Sequence, residues 1–254
     1  MTSHSLRVVE RSPSADGPGA GRRLVLVHGS MDRGSSFSRL TSRLADFSVV
    51  TYDRRGYAGS SRLGPPVSFD EQVADLTVVL GGEPAVVFGH SYGGDIVLAA
   101  AASSPGLIPV AFVWEPPQPW LDWWPGSSAS AGAGLSGMDP EDQAEWFMRR
   151  VVGDRVWERL PESTRRQRRA EGPTLRAEMA SLAHGPVFEA RDVKVPVLVG
   201  RGGRSKVHQR RSSRELAVSL PRAELVEITD AAHGAHLTHP ADLAALIRRA
   251  ADLA

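Results

Sequence analysis

Six short runs of this chain are almost continuously apolar: Leu24-Val25-Leu26-Val27, Ser48-Val49-Val50-Thr51-Tyr52, Ala85-Val86-Val87-Phe88, Val110-Ala111-Phe112-Val113, Val195-Pro196-Val197-Leu198-Val199 and Leu225-Val226-Glu227-Ile228. A strand with one face in water alternates apolar and polar residues, so runs without alternation read as strands covered on both faces. Helical patterns stand between them. Phe37, Leu40 and Leu44 share one helical face, and Phe69, Val73, Leu76 and Leu80 another, the second opened by a Ser68 to Glu71 capping box. A last helix starts at Pro240 and buries Leu243, Leu246, Ile247 and Leu253, while Leu6 to Glu10 reads as an edge strand. Strand and helix in alternation predict an α/β fold: a mostly parallel, doubly wound sheet.

The alternation stops between Pro116 and Arg191, where no strand pattern occurs. Residues 116–191 are expected to form a helical lid inserted into a core made of residues 1–115 and 192–254. The insertion opens with the rigid aromatic stretch Pro116 to Pro125, which contains Trp120, Trp123 and Trp124, and continues through a Gly/Ser/Ala stretch from Gly126 to Gly137. Asp139 and Pro140 then start one helix that Gly153 ends; a second spans Asp154 to Leu160, and a third spans Pro173 to His184. Arg165-Arg166-Gln167-Arg168-Arg169 reads as a solvated helix face, or as a surface for an acidic carrier.

Composition removes several functions. The net charge is +1, so no field draws the chain to nucleic acid or to an anionic membrane. It has no cysteine, which excludes disulfides, a thiol nucleophile and thiolate metal sites. The first twenty residues hold no continuous apolar segment and no later stretch is long enough to span a bilayer, so a cytoplasmic protein is expected. A small molecule is the expected partner, and self-association is left open.

Directly behind Ala85 to Phe88 stands Gly89-His90-Ser91-Tyr92-Gly93-Gly94-Asp95, followed by the apolar helix pattern Ile96 to Ala102. A serine at so sharp a strand-to-helix turn needs nearly side-chain-free neighbours two positions either side, which Gly89 and Gly93 supply. Ser91 therefore reads as a nucleophile. Asp95, on that helix, and Asp75 on the one before are expected at helix surfaces.

These residues resemble the α/β-hydrolase superfamily, and three further landmarks follow in order. His28-Gly29-Ser30 is similar to its oxyanion loop, Tyr52 to Ser60 to its post-strand loop, and Asp230-Ala231-Ala232-His233-Gly234-Ala235-His236 supplies the late histidine, with His233 at the better offset. The resemblance implies that His233 takes and returns the serine proton, and that main-chain N–H groups of Tyr92 and of Ser30 or Met31 meet the oxyanion. His28 and His90 are expected to be buried hydrogen-bonding groups. The chain departs from the commonest pattern in one respect: Gly200 to Lys206 contains no carboxylate where that pattern has its aspartate. Glu115, at the C-terminal end of the strand after the nucleophile helix, is the expected acid, as in some members of the superfamily, with Asp230 the alternative. Trp120, Trp124 and His236 are expected to line the pocket. No metal or cofactor is expected. The implied activity is hydrolysis of a small, apolar carboxylic ester, lactone or thioester through an acyl-enzyme. The rivals are a lyase or C–C bond hydrolase using the same triad, and a pocket that serves only to bind a small molecule.

Overall fold

The computed structural model describes residues 5–126, 128 and 137–254. Seven strands form one sheet: β1 (Arg7–Arg11), β2 (Arg23–Val27), β3 (Ser48–Asp53), β4 (Val86–His90), β5 (Val110–Trp114), β6 (Val197–Gly202) and β7 (Ala223–Ile228). Their order is β1-β3-β2-β4-β5-β6-β7. Only β1 is antiparallel, pairing with β3 at the edge, and its exposed side chains fit that place. The six predicted strands are the parallel ones.

Side chains alternate across the sheet, so Leu24 and Leu26 of β2 pack on one face while Val25 and Val27 pack on the other. The Val25 face is covered by α2 (Phe69–Leu80), α3 (Tyr92–Ser103) and α8 (Val207–Ser219), and the Leu24 face by α1 (Ser38–Thr41) and α10 (Pro240–Ala251). Ser68 caps α2 as expected, its hydroxyl accepting the Glu71 N–H at 3.2 Å. The helix expected around Phe37 to Leu44 is shorter than the pattern suggests, a 3-10 turn over Gly34–Phe37 running into α1, although Phe37, Leu40 and Leu44 are all buried. Leu253 is a correction: α10 ends at Ala251 and leaves Leu253 exposed.

Among the described residues, four α-helices stand between β5 and β6: α4 (Pro140–Val152), α5 (Asp154–Arg159), α6 (Glu162–Ala170) and α7 (Gly172–Ala183). Asp139 caps α4 by accepting the Glu141 N–H at 2.9 Å, and Gly153, at φ 87°, ends it. Most of the Gly126 to Gly137 stretch lies outside the described residues. α9 (Ala235–Thr238) follows β7 and precedes α10. No helix among the described residues is long and apolar enough to cross a membrane.

Candidate active site

β4 delivers Ser91 into the turn before α3 with φ 53° and ψ −129°, a backbone region that residues with a side chain enter only when the surroundings force it. The surroundings do force it. A Cβ at Gly93 would stand 2.4 Å from the Val27 carbonyl oxygen, so α3 sits hard against β2. A Cβ at Gly29 would stand 2.9 Å from that of Ser91, so the loop after β2 lies against the serine. Tyr92, the first residue of α3, has one of the N–H groups that a helix start leaves without an intrahelical acceptor. Met31, in the loop, has φ 56°.

Glu115 follows β5 and also has a positive φ, 49°. Its carboxylate is buried and both oxygens are engaged. Oε1 accepts the Gly202 N–H at 2.7 Å, and Oε2 accepts from His233 Nδ1 at 2.8 Å. That second bond puts the His233 proton on Nδ1 and leaves Nε2 as an acceptor. The loop after β7 that carries His233 is held in turn by His90, whose Nε2–H donates to the His233 carbonyl at 2.9 Å. Asp230, the alternative acid, faces solvent and pairs with Arg204 at 2.7 Å. β6 extends to Gly202, beyond the expected end at Val199, and this extension brings the Gly202 N–H to Glu115.

Ser91, Glu115 and His233 line one cavity of about 290 Å³. Its apolar surface comes from Pro117, Trp124, Phe147 and Val151, the last two from α4. Two expectations are corrected here. Trp120 packs against Phe188, ring centroids 6.0 Å apart, and does not line the cavity. His236 is only 3% exposed, lodged against Phe37 and His90, because α9 turns inward.

His28 is buried with both nitrogens bonded: Nδ1–H donates to the Gly29 carbonyl at 2.8 Å, and Nε2 accepts the Arg54 N–H at 2.9 Å. Burial, reinforced by the Arg54 charge, pushes its pKa well below the usual value, so it is a neutral, structural group. Burial, with His236 and His233 nearby, does the same to His90. Among the described residues, Asp32, His90 and His236 form the one set of donors that could hold a cation, their ligand atoms lying within 4.8 Å of one another. His236 Nε2 already stands 3.5 Å from the Asp32 carboxylate.

The residues that sequence reasoning missed hold the Gly29 loop. Arg54, fully buried, donates from Nε to the His28 carbonyl at 2.9 Å and from Nη2 to the Gly29 carbonyl at 3.0 Å. Its charge is met by Glu178 of α7 at 2.5 Å, and the Tyr57 hydroxyl donates to the other oxygen of Glu178 at 2.8 Å. Arg168 of α6 donates to the Met31 carbonyl at 2.8 Å. The arginine run is thus no plain solvated face: Arg168 reaches the loop, while Arg165 and Arg169 pair with Glu158, Asp142 and Glu145. The surface expectation for Asp75 and Asp95 is also corrected. Arg55 grips Asp75 with two bonds at 2.6 and 2.7 Å, and Asp95 is wholly buried in the first turn of α3 with neither carboxylate oxygen hydrogen-bonded within the protein. Burial alone raises the Asp95 pKa well above the usual carboxylate range.

Comparison with known proteins fits this architecture. Over residues 24–246 the chain matches the sequence pattern described as the alpha/beta hydrolase family. Lipase LipV of Mycobacterium tuberculosis is 30% identical over 103 residues, covering 39% of each chain. The putative carbamate hydrolase RutD of Caulobacter segnis is 36% identical over 117 residues, covering 41% of this chain and 43% of that one. The chain therefore matches only about two-fifths of the length of these relatives. Solved structures align over nearly all of it: an alpha/beta hydrolase from Sphaerobacter thermophilus has 25% identity and a TM-score of 0.68 over 96% of this chain and 95% of that one. Est816, described as an N-acyl homoserine lactone degrading enzyme, has 21% identity and a TM-score of 0.73, with 96% of each chain covered. Sheet order, elbow and sequence pattern agree, and the chain belongs to the alpha/beta hydrolase family.

Proposed function

We propose that the chain hydrolyses a small carboxylic ester, lactone or thioester with an apolar part, using Ser91 as nucleophile, His233 as base and then acid, and Glu115 as the group that orients His233. The observation that carries this reading is the 2.8 Å bond from His233 Nδ1 to a buried Glu115 carboxylate, in a cavity that Ser91 and His233 share. A serine hydroxyl is a weak nucleophile until a neighbouring base removes its proton. With Nδ1 protonated, Nε2 takes the Ser91 proton as Oγ attacks the carbonyl carbon. The tetrahedral oxyanion is met by the main-chain N–H of Tyr92 and one from Ser30 or Met31. The leaving group departs with the proton from His233, and an acyl-serine remains. Water, deprotonated by the same histidine, then adds to the acyl carbon, and the acid leaves as the proton returns to Ser91. Glu115 stabilises the imidazolium in both halves. The cavity's apolar side chains, Trp124 and Phe147 foremost, support an apolar substrate portion.

A fluorophosphonate probe is expected to label Ser91 and to leave Ser91→Ala unmodified; labelling elsewhere would remove the nucleophile. Glu115→Gln is expected to lower kcat on a p-nitrophenyl ester by about 10⁴-fold, the size of wrong-tautomer substitutions in other triads. Asp230→Asn should leave it near the wild-type value, and the reverse pattern would move the acid to Asp230. Solvent heavy oxygen in the released acid separates hydrolysis from an elimination or a C–C cleavage without water.

A further inference from the structure

We propose that Asp32, His90 and His236 bind a divalent transition-metal ion of the zinc type, which fastens together the three loops that carry the active site. The proposal stands apart from the hydrolase reading and departs from the expectation, drawn from the sequence, that no metal binds.

Each ligand comes from a different segment. Asp32 follows Met31 in the loop behind β2, His90 ends β4 and precedes Ser91, and His236 stands in α9, three residues after His233. One donor atom from each lies within 4.8 Å of the others, and Asp32 Oδ2 is 3.5 Å from His236 Nε2. A tetrahedral zinc site places neighbouring donors about 3.3 Å apart. The widest gap therefore closes by about 1.5 Å at most, and Asp32, its side chain 20% exposed, is the ligand with room to move. Two imidazoles and one carboxylate suit Zn²⁺, Co²⁺ or Ni²⁺, whereas Mg²⁺ and Ca²⁺ take oxygen ligands. None of the three residues lines the cavity beside Ser91, so the ion is a clip between loops and not a Lewis acid for the ester.

The two histidines are buried, and their donor atoms have no other use. His236 is 3% exposed, and neither of its nitrogens makes a hydrogen bond within the protein. His90 gives its Nε2–H to the His233 carbonyl, so Nδ1 carries the lone pair, and Nδ1 is buried without a partner. That nitrogen faces the loop of Asp32, since a Cβ at Gly29 would stand 3.2 Å from it. An ion pair between Asp32 and a protonated His236 is the simpler account, but it leaves Nδ1 of both histidines buried and unmet, at a cost in free energy. A cation engages His90 Nδ1 and His236 Nε2 together and leaves one such atom in place of two. The outer partners that metal ligands need are also present: His90 donates its second ring N–H to a carbonyl, and Asp32 Oδ2 accepts the Ser36 hydroxyl at 3.0 Å.

The test titrates the untagged, chelator-treated protein with Co²⁺. One equivalent is expected to bind and to develop the visible ligand-field absorption of cobalt held by nitrogen ligands. Zn²⁺ should displace it and, at about 100 times its Kd, raise Tm by about 5–10 °C, whereas Mg²⁺ should not. Asp32→Asn, at a partly exposed position where the fold is least at risk, and His236→Gln should each weaken binding by about tenfold or more, since loss of even an outer partner costs about 10–100-fold. His184→Gln, which removes an exposed histidine at the end of α7, should bind as wild type does. Absence of the cobalt spectrum, or binding that Asp32→Asn and His236→Gln leave intact, would overturn the proposal. None of these measurements uses an ester, so they stand or fall apart from the labelling of Ser91.

Discussion

Two loops bear on Ser91, and they use arginine and lysine in opposite ways. Along residues 28–31 the carbonyls of His28, Gly29 and Met31 all receive guanidinium N–H groups, two from Arg54 and one from Arg168, and Glu178 neutralises Arg54 in a buried place. Along residues 204–209 the backbone makes its own bonds, Arg204 to Ala231 and Ser205 to Gly202, while Lys206 extends into solvent and the Ser205 hydroxyl stays unpaired. One loop spends its cations on holding peptide groups still. The other leaves its cations at the surface, Arg204 paired with Asp230 and Lys206 exposed. The difference teaches a division of labour: the loop proposed to present an N–H to the oxyanion gains from rigidity, whereas exposed cations need no fixed geometry and act through a field that solvent screens.

The sharpest way to break this comparison is to remove a countercharge from each loop. Glu178→Gln leaves the Arg54 guanidinium buried with no opposite charge, and unpairing a buried ion pair costs about 3–5 kcal/mol. At about 2–4 °C per kcal/mol for a domain of this size, Tm should drop by roughly 10 °C. Asp230→Asn removes the partner of Arg204 in an exposed pair and should change stability by less than about 1 kcal/mol. Chemical denaturation of the two variants checks both. Equal losses would mean that the two loops are held alike.

A smaller effect comes from Asp95, buried behind the elbow on the rigid side. Its pKa in the folded protein lies above its unfolded value, so the folded state keeps a proton that the unfolded chain releases above pH ~4. Stability therefore falls as pH rises from that point to the folded value, with a slope of at most about 1.4 kcal/mol per pH unit. Asp95→Asn should remove this slope and be the more stable protein at pH 7, with little advantage at pH 4. His28 and His90, their pKa values lowered by burial, act in the opposite direction below about pH 6.5, and they do so equally in both proteins. Parallel stability profiles for the two proteins would show that Asp95 is already paired or hydrated.

The same division explains what could be read without coordinates. The sheet was legible because strands covered on both faces leave continuous apolar runs, and the elbow because its turn demands glycine at 89 and 93. Glu115 was legible from its place after a strand next to the serine's own. The Arg54–Glu178 pair was not, since it joins residues 124 positions apart on different elements and no local pattern marks either partner. Asp95 looked like a surface group for a related reason. The residues that follow it are apolar on every side, the mark of a helix packed all round, but a carboxylate in the first turn is also what a solvent-exposed helix start favours. Trp120 and His236 show the limit for pockets: aromatic and polar side chains near a site fill the space beneath it as readily as they line it.

The smallest expected effect sharpens the contrast most. Arg168 reaches from α6 to the Met31 carbonyl, and its charge is shared with Glu171, which also accepts the Ala58 N–H at 2.9 Å. Arg168→Met keeps the apolar stem over the loop and removes only the bond to the carbonyl. If the loop matters for orienting an N–H toward the transition state and not for binding the ester, kcat should fall about tenfold, roughly 1.4 kcal/mol on the barrier, with KM nearly unchanged. Lys206→Ser on the other loop, at an exposed site, should leave both parameters within about twofold of wild type. Steady-state kinetics of both variants on one substrate series reads the two parameters directly. Were Arg168→Met to raise KM and spare kcat, the Gly29 loop would be a substrate-binding surface, and its rigid hold would serve the ester and not the transition state.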